Sequence, residues 1–358
     1  MVTRKQKQTL YIGKRKVGEG QPVFIIAEAG VNHNGNVQMG KKLIDAAKKA
    51  GADAVKFQTF TADELVTPEG EMAEYQKKNT GKVESQFDML QRLSLTEKDF
   101  TELSEYAKKK DIIFISTPHG GFPSVDILKR LQVPVYKFGS ADTNNFPVIE
   151  YTARLKKPII ISSGMSSLQD IQETIKCIEK TGNNKIIVFQ CTTDYPVQSK
   201  DVNLRAMVTM QKAFPQVVVG YSDHTVGSQA SVMAVTLGAP ILEKHLTLDN
   251  NLPGPDHKAS ANPTDFAEYV QAVRDVEIIL GSGKKEIANV SRPYIPLVFK
   301  SVVAGANIKK GDTFSAKNVA IKRPAHGLPP KYYSEVLGKK ATRDIAANDF
   351  ISKKDYGR

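Results

Sequence analysis

The stretch VFIIAEAG, residues 23–30, contains the pattern from which the fold can be predicted. Its five leading residues are apolar, and they run without interruption to the carboxylate of Glu28. A short run of this kind, rich in Val, Ile and Phe, is typical of a strand buried on both faces. Eight such runs occur between residues 23 and 245: Val23–Ala27, Asp53–Phe57, Ile112–Ser116, Val133–Phe138, Pro158–Ser162, Lys185–Gln190, Val217–Tyr221 and Pro240–Lys244.

Helical periodicity separates most of these runs, as in Met39–Ala50 and Leu168–Lys180. Strands that alternate with helices in this number predict an α/β fold of the (β/α)8, or TIM-barrel, class. In that class the active site lies at the carboxyl ends of the strands. Those ends carry, in chain order, Glu28, Lys56, Thr117, Lys137, Ser163, Cys191, the group Ser222-Asp223-His224, and His245.

The pattern changes near residue 285, after a last helix over Pro263–Leu280 that glycines terminate. We therefore predict a barrel domain over 1–285, a Pro-containing linker over 286–297 and a small domain over 298–358.

Short elements are expected in the small domain, with strands at Phe299–Val303 and Val319–Lys322 and a helical turn near Pro330–Leu337. One long insertion, Thr61–Thr96, interrupts the barrel pattern. Its charged, Gln-rich stretch Tyr75–Thr80 predicts a loop over the barrel mouth.

Composition excludes several classes of protein. The 358 residues include only two cysteines, which fits a reducing compartment, and we predict the cytoplasm. A membrane-spanning helix needs about eighteen consecutive apolar residues, and no apolar stretch approaches that length. The basic first residues lack the apolar segment of a secretory signal.

The net charge of +12 is concentrated toward the end of the chain, where residues 286–358 carry fourteen basic and six acidic side chains, giving +8. Because these charges are dispersed among turns without interleaved aromatic residues, the pattern argues against nucleic-acid binding. It fits either a solvated surface or a basic lid over an anionic substrate.

Two histidines, His224 and His245, end the seventh and eighth predicted strands, which are neighbours in a closed barrel. Both imidazoles can therefore reach one point, with Glu28 of the first strand beside them. Two histidines, a carboxylate and open positions are typical of a divalent-metal site that admits substrate. The ligand types favour Mn²⁺ or Mg²⁺ over structural zinc, and Glu28 would ligate directly or through water. The alternative is a pair of histidines with a purely structural role.

Lys56 and Lys137 lie in or at the end of buried strands, where a lysine can bind phosphate or carboxylate, or form a Schiff base. Small hydroxyl and glycine residues surround them at five strand ends. Together these groups predict a pocket for a compact polyanion. The hydroxyl residues are Ser116-Thr117, Ser140, Ser162-Ser163, Thr192-Thr193 and Ser222.

Nine motifs lie in order along the predicted barrel: IAEAGVNH at 26–33, AVKFQ at 54–58, STP at 116–118, YKFGSADTNNFP at 136–147, ISSGM at 161–165, CTTDYP at 191–196, GYSDHT at 220–225, EKHLTLD at 243–249 and PDHKAS at 255–260. On these motifs the chain resembles the sialic acid synthases. Residues 298–358, with Lys322-Arg323-Pro324 and Gly327–Pro330, resemble the antifreeze-like (SAF) domain that ends those enzymes, a β-clip fold.

The resemblance implies a transferase that condenses phosphoenolpyruvate with an N-acylated hexosamine, releasing phosphate and giving a nine-carbon 2-keto acid sugar. N-acetylmannosamine is the acceptor we expect, with N-acetylneuraminate as product. The alternatives are 2,4-diacetamido-6-deoxy sugars that lead to legionaminate or pseudaminate.

The resemblance also implies roles for individual residues. His224 and His245 would hold the metal, and Glu28 would stabilise positive charge or position a water. Phosphoenolpyruvate would be held by the motif lysines and hydroxyls: Lys56, Thr117, Lys137, Ser140, Ser163 and Ser222. The acceptor would be contacted by Gln58, Asn79, Tyr195 and Asp256, and Thr193 belongs to the same pocket.

Arg323 would come from the SAF domain of a partner subunit, so that a homodimer is the expected catalytic unit. The chain departs from the pattern of many bacterial members at Asp142, where they have Glu, and at His119-Gly120. Asp142 is retained as a sugar-contacting residue.

Two alternative functions involve the same residues. A Schiff-base aldolase would use free pyruvate and one of the lysines, and it would release no phosphate. A non-catalytic sugar- or ice-binding protein would have no use for an intact set of metal and anion residues.

Overall fold

A computed structural model describes residues 9–80 and 84–357, and it divides the chain into two compact units, Met1–Gly281 and Ser282–Arg358. Each unit has a hydrophobic core of its own. Among the described residues, no helix combines the length and the apolar surface that crossing a bilayer requires.

The first unit opens with a hairpin, β1 (Leu10–Ile12) and β2 (Arg15–Val17), and continues with eight parallel strands. All eight predicted runs form strands: β3 (Phe24–Gly30), β4 (Ala54–Thr59), β5 (Ile113–Pro118), β6 (Tyr136–Phe138), β7 (Ile159–Ser162), β8 (Ile186–Gln190), β9 (Val218–Asp223) and β10 (Ile241–His245).

Their ladders run in the order β5-β4-β3-β10-β9-β8-β7-β6, and the two end strands, β5 and β6, lie side by side. The predicted (β/α)8 class is therefore confirmed. β6 is shorter than the predicted run Val133–Phe138, which contains Pro134 and so lacks one ladder donor.

Helices connect consecutive strands, as the periodicity predicts. Asn36 caps the first helix, so that it starts two residues before the predicted Met39. The helices of the first unit are α1 (Val37–Ala50), α2 (Ala62–Leu65), α3 (Glu74–Thr80), α4 (Gln86–Leu93), α5 (Glu97–Lys109), α6 (Gly121–Arg130), α7 (Phe146–Ala153), α8 (Leu168–Lys180), α9 (Arg205–Ala213), α10 (Gln229–Thr236) and α11 (Pro263–Leu280).

The loop predicted for Tyr75–Thr80 is wrong, because this stretch forms α3, one of the three helices α2, α3 and α4 that the insertion Thr61–Thr96 holds. The charged, Gln-rich residues that suggested a loop are good helix formers. Apolar residues between them form a small separate core that includes Phe60, Met72 and Met89.

Side chains alternate between two layers along each barrel strand, and this alternation decides which of them reach the mouth. On β3, Phe24 and Ile26 belong to the core inside the barrel, whereas Ile25 and Ala27 pack against the outer helices. Glu28 continues the inner row. The same two-residue period places further residues in the inner row, beyond its apolar part: Lys56, Lys137, Ser222, Glu243 and His245.

The second unit contains the antiparallel strands β11 (Ser301–Ala304) and β12 (Val319–Lys322), together with α12 (Ile295–Val298) and α13 (Tyr333–Val336). β12 matches its predicted bounds, and β11 starts two residues after the predicted Phe299. A 3-10 helix over Asn289–Tyr294 and the start of α12 occupy much of the stretch predicted as a linker.

Candidate active site

Three functional side chains lie at one level of the barrel because adjacent strands are in register. Glu28 of β3 is paired with Lys56 of β4 on one side and with His245 of β10 on the other. All three side chains are buried. The barrel therefore places a carboxylate, an ammonium and an imidazole next to each other before any substrate arrives.

Four buried charges form the centre of the site. Lys56 Nζ lies 2.7 Å from Glu28 Oε2 and 3.7 Å from Glu243 Oε1. Lys137 Nζ lies 3.3 Å from the same oxygen of Glu243. None of the four side chains is more than 4% exposed. Glu243 thus lies between the two lysines, and the four groups carry both signs in equal number.

Burial and these neighbours shift the pKa values in different directions. Burial lowers the pKa of Lys137 and raises that of Glu28. For Lys56, burial alone would lower the pKa, but Glu243 and Glu28 outweigh it and raise the value. For Glu243, burial alone would raise the pKa, but Lys137 and Lys56 outweigh it and lower the value. The ionised forms of Lys56 and Glu243 are therefore the stable ones.

Glu243 was missed as a functional residue, although it opens the motif EKHLTLD. The signal was available, because it stands two residues before His245 on the same strand and so faces the same way.

The predicted hydroxyls divide into two groups. Thr117, Ser140, Thr193 and Ser222 line the cavity at the mouth. Thr117 Oγ1 accepts a hydrogen bond from Lys56 Nζ at 3.1 Å, and Ser222 Oγ donates to Glu243 Oε1 at 3.3 Å. These contacts fix two hydroxyls against the buried charges.

Ser163 lies outside the lining, because its Oγ donates to the carbonyl of Phe189 at 2.8 Å, and Ser162 lines the cavity in its place. Nearby, Gly164 approaches the site closely: a Cβ there would meet Thr193 Oγ1 at 2.3 Å and Ser140 Oγ at 2.7 Å. Its backbone N–H donates to Ser140 Oγ at 3.0 Å. Only glycine fits at this position without displacing those hydroxyls.

The two predicted metal-ligand histidines face each other, with ring centroids 5.4 Å apart. His224 Nδ1 donates to the carbonyl of Thr192 at 2.7 Å, so the lone pair of the neutral ring is on Nε2, which lies 3.4 Å from Ser222 Oγ. Nδ1 of His245 is buried without a hydrogen-bond partner. Burial lowers the pKa of both rings, so both are neutral, which is the form that binds metal. These residues fit a divalent cation.

Within the described chain, no group of three or more His, Cys, Asp or Glu side chains is arranged to hold an ion. The protein would therefore supply two nitrogens, and water or substrate the remaining positions. Tyr195 packs against both histidines, with ring centroids 4.3 Å from His224 and 5.4 Å from His245.

Of the four predicted acceptor residues, Gln58, Tyr195 and Asp256 line the cavity, and Asn79 does not. Gln58 Nε2 donates to Glu28 Oε1 at 3.2 Å. Asn79, on α3, donates to the carbonyl of Pro255 at 2.7 Å, next to the buried Asp256. The insertion is thereby tied to the loop that carries Asp256.

Asp142 does not itself line the cavity, but its Oδ2 lies 2.7 Å from Nδ1 of His119, which does. The two departures noted in the sequence therefore form one pair. Arg323 is exposed in the second unit.

The whole cavity has a volume of about 420 Å³. In addition to its polar lining, the cavity has an apolar side, which is formed by Val31 and by four residues of the insertion: Leu65, Met89, Leu90 and Leu93.

Comparison with known protein families identifies the chain. The NeuB family model matches residues 43–285, and the SAF domain model matches residues 299–356. The chain belongs to the NeuB family. The resemblance to sialic acid synthases and to their SAF domain is thus confirmed.

Relatives of this NeuB-family chain are named as synthases of different sialic acid-type sugars. It is 43% identical to the N,N'-diacetyllegionaminic acid synthase of Campylobacter jejuni, over 92% of this chain and 98% of the relative. It is 37% identical to the human N-acetylneuraminate-9-phosphate synthase, over 94% and 93% of the two chains. A crystal structure of N-acetylneuraminic acid (sialic acid) synthetase from Leptospira borgpetersenii, in complex with citrate, aligns with a TM-score of 0.71 at 32% identity, covering 82% and 96%.

Asp256 gives this NeuB-family chain a testable pH dependence. Burial, and after it the charge of Glu28, raises the pKa of Asp256 from its ordinary 3.8 to about 7. Between these values the folded state binds more protons than the unfolded state, so this group makes stability fall as pH rises. We expect Asp256→Asn to remove this loss of stability. The unfolding free energy of the variant, measured relative to that of wild type, should therefore rise by roughly 2–3 kcal/mol from pH 5 to pH 8.

Denaturant titrations at the two pH values measure this difference. Asp275→Asn, an exposed change on α11, controls for the loss of a carboxylate. A difference between Asp256→Asn and wild type that is the same at both pH values contradicts the raised pKa.

Proposed function

We propose that the chain condenses phosphoenolpyruvate with an N-acylated hexosamine, in the first instance N-acetylmannosamine, to give N-acetylneuraminate and phosphate. The observation that carries the proposal is the buried cluster of Lys56, Lys137, Glu28 and Glu243, surrounded by hydroxyls and adjoining two neutral histidines. A site of this kind can bind a small polyanion and an aldehyde side by side.

The lysines supply the anion-binding half. A phosphate monoester carries about 1.5–2 negative charges at neutral pH, and the carboxylate of phosphoenolpyruvate adds one more. Lys56 and Lys137 offer preorganised ammonium groups in a site where burial strengthens each electrostatic contact. Thr117 and Ser140 add hydroxyl donors to the remaining oxygens, and Ser222 also lines the cavity.

The histidines supply the electrophilic half. His224 and His245 would hold Mn²⁺ or Mg²⁺, which when bound polarises the aldehyde oxygen of the open-chain acceptor as a Lewis acid. Tyr195 packs on both rings and restricts their orientation. Glu28 contacts Lys56 and Gln58, so it would contact the bound metal ion through a water molecule and not directly.

The chain's own groups account for the charge movements of the reaction. C3 of phosphoenolpyruvate attacks the aldehyde carbon, which places positive character on C2. Glu28 stabilises that charge and orients the water that adds at C2, and its raised pKa suits a group that accepts the water's proton. The tetrahedral intermediate then loses phosphate by cleavage of its C–O bond, while Lys56 and Lys137 hold the leaving group.

A 2,4-diacetamido-6-deoxyhexose is the second acceptor candidate, and two observations favour it. The legionaminic acid synthase relative is 43% identical to the chain, against 37% for the human N-acetylneuraminate-9-phosphate synthase. In addition, the apolar side formed by the insertion suits the methyl and second acetamido groups of such a sugar.

A Schiff-base aldolase is kept as the second reaction type because burial lowers the pKa of Lys137, the property that a Schiff-base lysine needs. Its proximity to Glu243 at 3.3 Å favours the charged, anion-binding role instead.

The acceptor test measures phosphate release. Purified protein is mixed with Mn²⁺ and phosphoenolpyruvate, and one acceptor sugar is added. The three acceptors compared are N-acetylmannosamine and the 2,4-diacetamido-6-deoxy precursors of legionaminate and pseudaminate. Phosphate should be released only when an acceptor that the enzyme uses is present. We expect the fastest release with N-acetylmannosamine. Faster release with a diacetamido sugar would reassign the acceptor. In a parallel assay with free pyruvate in place of phosphoenolpyruvate, formation of the keto acid sugar would establish the aldolase.

Metal dependence follows from the two histidines. Dialysis against a chelator should abolish turnover, and added Mn²⁺ or Mg²⁺ should restore it, because two neutral imidazoles alone cannot polarise the aldehyde as a cation does. His224→Ala and His245→Ala should each weaken Mn²⁺ binding measured by calorimetry. A metal-free enzyme that keeps its full rate would contradict the assignment.

Lys137→Ala should raise the KM for phosphoenolpyruvate and lower kcat. Removing one preorganised charge from a closed site costs about 3–4 kcal/mol, or roughly 10²–10³ in rate. Steady-state kinetics measures both constants, and Lys129→Ala, an exposed change on α6, should leave both within about twofold. The anion role is refuted if Lys137→Ala stays within twofold as well.

We also propose that Arg323 acts in the barrel of a partner subunit, with a homodimer as the catalytic unit. Dimers verified by mass to combine an Arg323→Ala chain with a Lys137→Ala chain should regain roughly half of wild-type turnover, because one of two composite sites is intact. Lys317→Ala, a change of another exposed basic residue of this unit, should have no effect. Mixed dimers no more active than either parent would place Arg323 in its own chain's site or outside catalysis.

A further inference from the structure

A second buried ion pair lies directly behind the two histidines. Asp223 is the last residue of β9 and is followed by His224, and Lys244 precedes His245 on β10. Because side chains alternate along a strand, Asp223 and Lys244 point away from the barrel interior, toward the outer helices. Nothing in the proposed reaction uses them.

The pair closes the last rung of the ladder between these strands. Lys244 is the register partner of Asp223, and its Nζ lies 3.2 Å from Asp223 Oδ2. The side chains are 4% and 0% exposed. The ion pair therefore joins the two strands at the residue immediately before each histidine.

The same two residues clamp the turn that follows His224. Asp223 Oδ1 accepts hydrogen bonds from the backbone N–H of Thr225 at 2.9 Å and from its hydroxyl at 2.7 Å. Lys244 Nζ donates to the carbonyl of Thr225 at 2.7 Å. Both neighbours of His224 are thus fixed on the outer side, which leaves its ring projecting into the cavity.

Two outer helices complete the network. Ser231 of α10 donates to Asp223 Oδ2 at 2.7 Å, and Tyr269 of α11 donates to Ser231 Oγ at 3.0 Å. The Tyr269 ring also lies 5.4 Å from Lys244 Nζ. The pair is therefore anchored to the helical layer as well as to the sheet.

Stability alone gives little reason for such a pair, since apolar residues of similar volume in place of a buried ion pair often leave a protein as stable or more so. What the pair does provide is a fixed register and a fixed backbone at two adjacent strand ends. We propose that Asp223 and Lys244 are positioning residues that hold the imidazoles of His224 and His245 at the separation a shared divalent cation needs. This inference rests on the proposed metal role of those histidines.

The test is Mn²⁺ binding to the full-length protein without substrates, measured by calorimetry, with phosphoenolpyruvate binding measured in parallel. Lys244→Met should weaken Mn²⁺ binding at least about tenfold, in the range found for residues that orient metal ligands. Its affinity for phosphoenolpyruvate should stay within about threefold, because Lys56 and Lys137 face the other side of the strands.

Arg274→Met is the matched control, since it breaks the partly buried pair of Arg274 with Asp53 at 3.2 Å, away from the histidines. It should lower thermal stability and leave the Mn²⁺ affinity within twofold. If Lys244→Met does not fold, Ser231→Ala takes its place, because it removes only one hydrogen-bond donor to Asp223. We expect Ser231→Ala to lower the Mn²⁺ affinity two- to fivefold.

His224→Ala separates the two ways in which the inference can fail. If His224→Ala binds Mn²⁺ like wild type, the metal assignment itself is wrong. If His224→Ala loses binding while Lys244→Met, or Ser231→Ala in its place, keeps the wild-type affinity, the metal assignment stands and the positioning role is overturned.

Discussion

The site depends on keeping four charges, Lys56, Lys137, Glu28 and Glu243, out of water. Each would be costly to bury alone, and each is compensated by an opposite charge within 2.7 to 3.7 Å. The closed barrel makes this possible, because Glu28 of β3 and Lys56 of β4 are in register, and the inward-facing Glu243 of β10 and Lys137 of β6 reach the same group of charges. The arrangement is set before a ligand binds, which is what electrostatic catalysis requires.

The surroundings of this cluster follow from the same constraint. A compact anion can approach two lysines only where nearby side chains are small, and Gly164 with its adjoining hydroxyls provides that space. An aldehyde must be activated beside the anion, and of the two neutral histidines His245 lies on the strand next to that of Glu28, and His224 follows the strand after it. The insertion helices then cover the acceptor side, where Asn79 contacts the loop of Asp256. The charge cluster, the histidine pair and the covering helices are thus successive consequences of one barrel geometry.

Much of this arrangement could be predicted from the sequence, because buried parallel strands are short apolar runs and their ends mark the mouth. The eight strands, the helices between them and many of the charged and hydroxyl residues of the cavity follow from that pattern, whereas Gln58, Tyr195 and Asp256 were expected only from the resemblance to a known family. Glu243 was missed because it stands before a strand end, where only the two-residue alternation reveals that it faces inward. Ser163 and Ser162 could not be told apart, since the choice depends on the local turn and on a hydrogen bond to Phe189. The stretch Tyr75–Thr80 was mistaken for a loop because α3 is short and lies in an insertion that has a small core of its own.

The central claim is that this buried cluster expels phosphate from a phosphoenolpyruvate-derived intermediate by breaking a C–O bond. Phosphoenolpyruvate labelled with ¹⁸O in its bridging position tests this claim most directly. The enzyme, with Mn²⁺ and its acceptor sugar, should release phosphate that carries the label, as detected by mass spectrometry or by the isotope shift in the ³¹P spectrum. Unlabelled phosphate, with the label retained in the keto acid product, would mean that the P–O bond breaks and that the charges serve a different reaction.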